Sequence, residues 1–229
     1  MVQPQPSKER STAWRRKQVA QVIVRLEREY PDAHIVLRYG NDWELLVAVV
    51  LSAQCTDVTV NKVTADLFSK YRTVEDYAAA DPTEFEQDIK PTGFFRNKTK
   101  NILASAQRVL HEYGGDVPRS MAELVTLPGV ARKTANIVLG NTDPEAFAAD
   151  PGAGIAVDTH VYRVSQRLGL AAANDAAKTE RELMEVVPRG KWTSITYLLI
   201  EHGRAVCTAR KPRCGECLLN DICPSAFAV

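Results

Sequence analysis

The 229-residue chain is most easily bounded by what it has little of. No uninterrupted apolar run approaches the ~18 residues a membrane-spanning helix needs. The start, MVQPQPSKERSTAWRRKQ, lacks the apolar core of a secretory signal. Strand-like alternation of apolar and polar residues is almost missing, which leaves an all-α chain. Net charge is only +1, so a polyanionic partner has to be read from local clusters rather than from the total. These absences point to a globular, cytoplasmic protein with no membrane partner. Its 45% hydrophobic residues suffice for one large core or two modest ones.

Helical periodicity fills most of the chain. Thr12 to Tyr30 carries Val19, Val22, Ile23 and Leu26 at helical spacing and stops before Pro31. WELLVAVVLSAQ, Trp43 to Gln54, is too apolar for a surface helix and reads as the centre of a core. Further helical patterns run near 57–71, 73–80, 82–89, 96–113, 120–127, 132–140, 159–169, 176–187 and 191–206, with short Pro- and Gly-bearing connections. The main loop candidate is NTDPEAFAADPGAGIAV, Asn141 to Val157, either a domain linker or a surface insertion.

Charge is segregated. Glu75 to Asp88 holds six acidic residues and no basic one, whereas KPTGFFRNKTK, Lys90 to Lys100, holds four basic residues and no acid. Each block is either a solvated face or part of a partner surface. The string KTKNI at Lys98–Ile102 echoes KTANI at Lys133–Ile137, and each comes after a glycine, Gly93 or Gly129. The echo is either chance or the trace of two related helix-turn-helix units. In the second case Lys98 rivals Lys133.

Four of the five cysteines, Cys207, Cys214, Cys217 and Cys223, form a C-x6-C-x2-C-x5-C array. Without an export signal, metal ligation is favoured over disulfides. A four-cysteine zinc site usually separates two short knuckles by a dozen or more residues. One compact, uneven loop suits a [4Fe-4S] cluster better, with zinc or unligated thiols as the alternatives. Between the first two cysteines lie Arg210, Lys211 and Arg213, a basic loop that a cluster would hold ready for a phosphate backbone, or merely a solvated one. Cys55 stands apart and is expected to be a small buried residue.

LPGVARKTA, Leu127 to Ala135, places a Pro-Gly turn before a helix start. The amides of such a turn make an anion site, and Gly129 supplies the positive φ or the close approach. Leu127, Gly129, Val130 and Arg132 then read as a sequence-independent DNA clamp. Lys133, at this helix N-terminus, is locally a phosphate contact first and a candidate nucleophile second. Asp158, in AVDTHVYRV, is locally an N-cap. An amine and a carboxylate facing an extruded nucleotide are nevertheless what cleavage of an N-glycosidic bond needs.

Together LSAQCTDVTVNK (Leu51 to Lys62), LPGVARKTANIVL (Leu127 to Leu139), AVDTHVYRV (Ala156 to Val164) and HGRAVCTARKPRCGECLLNDIC (His202 to Cys223) resemble the endonuclease III family of helix-hairpin-helix DNA glycosylases, over about Gln18 to Cys223. The resemblance implies a two-lobed, all-α fold with DNA across the cleft. It places a six-helix barrel-like domain over about 33–150, containing the helix-hairpin-helix at about 121–140. Residues 11–32 with 151–229 form a discontinuous cluster domain, and residues 1–10 are a disordered tail. It implies a monomer, in the cytoplasm at the nucleoid, that removes oxidised pyrimidines from double-stranded DNA and nicks abasic sites.

In that scheme Lys133 attacks C1′ and forms a Schiff base, Asp158 assists, and β-elimination ensues. Gln54 fills the gap left by the extruded base, Asp57 lies near the pocket, and Phe94 or Phe95 supplies a second wedge. His160 supports Asp158 or the DNA backbone. Cys55 inside the wedge motif and a long 141–155 connection depart from the family pattern. The alternatives are a monofunctional mismatch (adenine or thymine) glycosylase, which usually lacks the lysine, and a non-catalytic iron-sulfur DNA-binding protein. Adenine glycosylases also usually carry an extra C-terminal domain, whereas this sequence stops at Val229.

Overall fold

A computed structural model describes residues 10–228. Its described residues contain helices and turns and no strand. They divide into two compact units, one spanning Val36–Ala153, the other formed by the segment ending at Ile35 and the segment beginning at Gly154. The expected N-terminal tail lies outside the described residues except for Arg10, whose guanidinium stacks 4.6 Å from the Trp14 ring centroid.

The 36–153 unit is built around α2 (Asp42–Leu51), where Trp43 and every residue from Leu45 to Leu51 are buried. Asn41 starts this helix by accepting the Glu44 amide, and eight buried side chains leave it no solvent face. Around it come α3 (Asp57–Lys70), α4 (Val74–Ala78), α5 (Pro82–Ile89), a 3-10 turn (Lys90–Thr92), α6 (Phe95–Tyr113), α7 (Met121–Leu124), α8 (Arg132–Thr142) and α9 (Pro144–Ala149). α6 packs on α4 and α5, and α8 on α2. Trp43, Tyr71, Tyr77 and Phe85 interlock at centroid separations of 5.3–5.8 Å. Tyr77 and Phe85 are fully buried, each worth roughly 1.5–3 kcal/mol of apolar burial.

The 141–157 segment is not the loop the sequence led us to expect. α8 continues to Thr142, and Asp143 then caps α9, with Pro144 preset at its first position. The local composition hid this because Asp-Pro marks both a turn and a helix start. The turn after α9 is also tied down. Asp150 accepts the amides of Met121 and Gly152, both at 2.6 Å, and the Gly152 carbonyl accepts from Arg132 at 2.7 Å. It therefore braces the starts of α7 and α8.

The other unit contains α1 (Thr12–Glu29), α10 (Thr159–Arg167), α11 (Ala176–Met184), α12 (Trp192–Ala205) and two 3-10 turns, Arg189–Lys191 and Cys214–Glu216. Val19, Val22, Ile23 and Leu26 of α1 are buried as their spacing required. The polar side of α1 holds the C-terminal loop. Gln18 donates to the Ile222 carbonyl at 2.8 Å, and Arg25 pairs with Asp221.

Candidate functional site

The hairpin between α7 and α8 arises from three local facts. Ser120 caps α7, Gly129 takes φ 78°, and Ala131 begins α8 without any side-chain cap. An uncapped helix start presents its first amides to an outside anion. Gly129 is required twice over, because a Cβ there would stand 2.8 Å from the Cβ and Nδ2 of Asn101. α6 holds the hairpin from behind along one helical stripe. Asn101 packs on Gly129, Ser105 donates to the Pro128 carbonyl at 2.8 Å, and Arg108 donates to the Thr126 carbonyl at 2.8 Å. The sequence reading missed Ser105 and Arg108, although their spacing from Asn101 was visible.

Within the hairpin the Leu127 and Val130 side chains are buried, so the clamp expected there rests on the backbone of the turn. The Val130 amide closes that turn onto Leu127. Arg132 and Lys133 are exposed on the first two positions of α8. Lys98, the rival lysine, is 4% exposed and donates to the carbonyls of Leu51 and Thr92, each at 2.8 Å. Burial lowers its pKa below the ordinary lysine value.

Gln54 and Phe94 are exposed and adopt positive φ, 54° and 47°. Phe94 is 65% exposed, which separates it from Phe95, half-buried beneath the Arg96 guanidinium. Asp57 opens α3 and is half-buried. Cys55 is only half-buried, contrary to expectation, because the chain leaves α2 at Leu51 and turns outward.

Asp158 lies in the other unit from Lys133. It comes directly after the buried run Ala153–Val157 and caps α10, Oδ1 accepting the amides of His160 at 2.8 Å and Val161 at 2.7 Å. Capping therefore does not use Oδ2. The His160 ring turns toward α12, with Nδ1 3.2 Å from an Arg163 nitrogen. Burial lowers the His160 pKa, while the Asp158 charge opposes the shift.

The four clustered cysteines line one cavity together with His202, Arg167 and Pro212. Among the described residues, no group of three or more His, Cys, Asp or Glu side chains converges on a point that holds one ion. Four thiols lining one cavity are the all-cysteine donor set that a [4Fe-4S] cluster takes. Burial pushes the Cys223 thiol up to about 11, so ligation must displace its proton. Outer contacts are in place. Arg167 approaches the Cys207 sulfur at 3.4 Å and donates to the Thr208 carbonyl at 2.7 Å, while His202 Nε2 lies 3.5 Å from the Cys217 sulfur. Burial drives His202 down to about 4, which keeps it neutral. Arg210 and Lys211 are exposed. Arg213 is exposed as well, and it also braces the loop by donating to the Ala205 carbonyl and pairing with Glu216 at 3.2 Å.

An all-helical fold with a glycine hairpin, a lysine behind it and a four-cysteine loop defines a helix-hairpin-helix repair protein, and residues 47–189 match the HhH-GPD superfamily of base excision DNA repair proteins. Residues 207–223 match the iron-sulfur binding domain of endonuclease III. Endonuclease III of Synechocystis sp. is 49% identical over 96% of this chain and 97% of that protein. Two solved structures, a non-covalent endonuclease III–DNA complex and a trapped endonuclease III–DNA covalent intermediate, each show 43% identity. Each covers 92% of this chain and 96% of theirs, with a TM-score of 0.84.

The chain belongs to the endonuclease III family. It is a bifunctional base excision repair glycosylase and lyase carrying a [4Fe-4S] cluster, and neither a monofunctional nor a non-catalytic reading is favoured. No helix among the described residues is long and apolar enough to cross a membrane.

Proposed function

We propose that Lys133 is the nucleophile and Asp158 the assisting carboxylate of this glycosylase and lyase, acting on oxidised pyrimidines in double-stranded DNA. The observation that carries the assignment is the placement of Lys133. It is exposed at the second position of an uncapped helix, behind a turn glycine, while the lysine in the echoing string is buried on two carbonyls. A deprotonated amine attacks C1′ as the C1′–N bond breaks, and the base leaves with the bonding pair and gains a proton. Asp158 Oδ2, free of the capping role, faces the positive charge that grows on the sugar. The sugar ring opens to an iminium on Lys133. Loss of a C2′ proton then expels the 3′ phosphate, and water releases the lysine.

Oxidised pyrimidines are the proposed class because a ring-saturated base stacks poorly and costs less to extrude. The uncapped start of α8 with Arg132, and the exposed Arg210 and Lys211, receive phosphates. Gln54 and Phe94 occupy the space the base vacates, and Asp57 borders the pocket. His160 orients Asp158 from within α10. The residues liganding the cluster would be Cys207, Cys214, Cys217 and Cys223. When bound, the cluster fixes the basic loop and supplies no group to the sugar. The protein acts as a monomer in the cytoplasm at the nucleoid.

Borohydride trapping on a duplex with one thymine glycol tests this reading. A covalent adduct forms with the parent and with Asp158→Asn more slowly, and none forms with Lys133→Ala. An adduct that persists in Lys133→Ala removes the lysine from the chemistry.

A further inference from the structure

Lys98 is a buried amine whose place the reaction does not explain. Its Nζ donates to the carbonyl of Leu51, the last residue of α2, and to that of Thr92, the last residue of the 3-10 turn. Thr92 is itself buried, with its hydroxyl on the Ile89 carbonyl at 2.8 Å. Carbonyls at helix ends lack intrahelical partners and carry the negative end of the helix dipole, so an ammonium is a fitting donor for both. A neutral amine retains two N–H groups and would keep both bonds.

Each acceptor stands just ahead of a strained turn. Gln54 lies three residues after Leu51, and Phe94 lies two after Thr92. Besides Phe227, they are the described non-glycine residues with positive φ. Left-handed backbone at a glutamine and a phenylalanine is strained, and it persists only where the surroundings hold it. Both side chains stand out from the surface on these turns. The Cys55 amide closes the first turn on the Ser52 carbonyl at 3.0 Å, and Gly93 at φ 69° opens the second.

We infer that Lys98 is a positioning residue that staples the Gln54 turn to the Phe94 turn, so that the two side chains enter the DNA as one preset pair. The inference rests on the wedge roles proposed for Gln54 and Phe94. Two separately mobile turns would each lose conformational freedom on insertion, whereas a preset pair loses less. The staple therefore acts where a base stack has to be opened and filled. It does not act on the Schiff-base chemistry of an abasic sugar that already lies free.

The test compares cleavage of one abasic site in a duplex with cleavage of the same site in a single strand. The chemistry is shared, and only the duplex needs the wedge pair. For Gln54→Ala/Phe94→Ala the duplex-to-single-strand ratio falls. For Lys98→Met it falls about tenfold, and in the triple variant it falls no further than in the double, the non-additivity expected of residues acting as one unit. A double variant that keeps the parent ratio overturns the wedge reading, and the staple with it. A ratio lost in the double variant but kept in Lys98→Met overturns the staple alone, as does a triple variant in which the two losses multiply. Should Lys98→Met not fold, hydrogen exchange on the unaltered protein decides. Amides of 52–55 and 93–96 that open with one common free energy support the staple, and separate openings overturn it.

Discussion

KTKNI at Lys98–Ile102 and KTANI at Lys133–Ile137 differ at one position, yet the fold uses them in opposite ways. In α6 the lysine is the fourth helical residue and points inward, in line with buried Ile102 and Ala106. In α8 it is the second residue and points out, while Ala135 two places on is buried. Two positions on a helix amount to about 200° of rotation, enough to exchange the faces. The one differing position obeys the same rule, since Lys100 is exposed where Ala135 is fully buried. A shared string therefore fixes neither burial nor chemistry. Its register against the helix start does.

Truncating the two lysines should separate them most widely. Lys98→Ala leaves the Leu51 and Thr92 carbonyls without their donor in a buried place, a loss of roughly 2–5 kcal/mol at the usual cost of orphaned polar groups. Lys133→Ala removes an exposed side chain and should shift stability by no more than about 0.5 kcal/mol, although it removes the trapped adduct. Urea unfolding of both variants measures the contrast. Equal losses would mean that register does not decide the two fates.

The glycines ahead of the two strings sharpen the same comparison with a smaller effect. Gly93 and Gly129 both have positive φ, which costs an alanine on the order of 1–3 kcal/mol at either place. Nothing lies within 4 Å of a Cβ added at Gly93, whereas at Gly129 it would meet Asn101 at 2.8 Å. Gly129→Ala should therefore be the more destabilising by about 1–3 kcal/mol, the range for forcing extra volume into a packed place. It should also weaken DNA binding by pushing the hairpin off α6. Thermal melts of the two variants, with binding measured at one fixed salt concentration, check both parts.

Much of this was legible in the sequence because it is written in periodicity and spacing. α1 and α2 emerge where the apolar pattern places them, the hairpin emerges at its Pro-Gly, and the four cysteines meet at one cavity. The inward turn of Lys98 was also readable, since it stands four residues before Ile102 on the stripe that continues through Ala106 and Val109. The chemistry usually attached to lysine obscured it. Long-range pairings were less accessible. That Arg213 braces its own loop, that Arg167 reaches the Cys207 sulfur, or that Asp150 ties α7 to the turn before Ala153 depends on which backbone carbonyls and amides the fold leaves open. No one-dimensional pattern records that. Leu127 and Val130 are of a mixed kind, in a motif that matters for its backbone while its side chains belong to the core, and spacing alone does not separate the two uses.

The smallest expected effect concerns the turn that Lys98 holds. Phe94 begins α6 in the left-handed region without a side-chain cap and is 65% exposed, so the fold gains little from its ring. Asparagine tolerates that backbone far better. Phe94→Asn should raise stability by about 0.5 kcal/mol through relief of strain, while lowering cleavage of a duplex abasic site relative to a single-stranded one. Gains and losses in opposite directions at one residue are the signature of strain kept for function. A variant that is both less stable and unchanged on duplex DNA would show instead that the ring packs for the fold. Lys98 would then be holding a turn for structural reasons, and the contrast with Lys133 would reduce to burial alone.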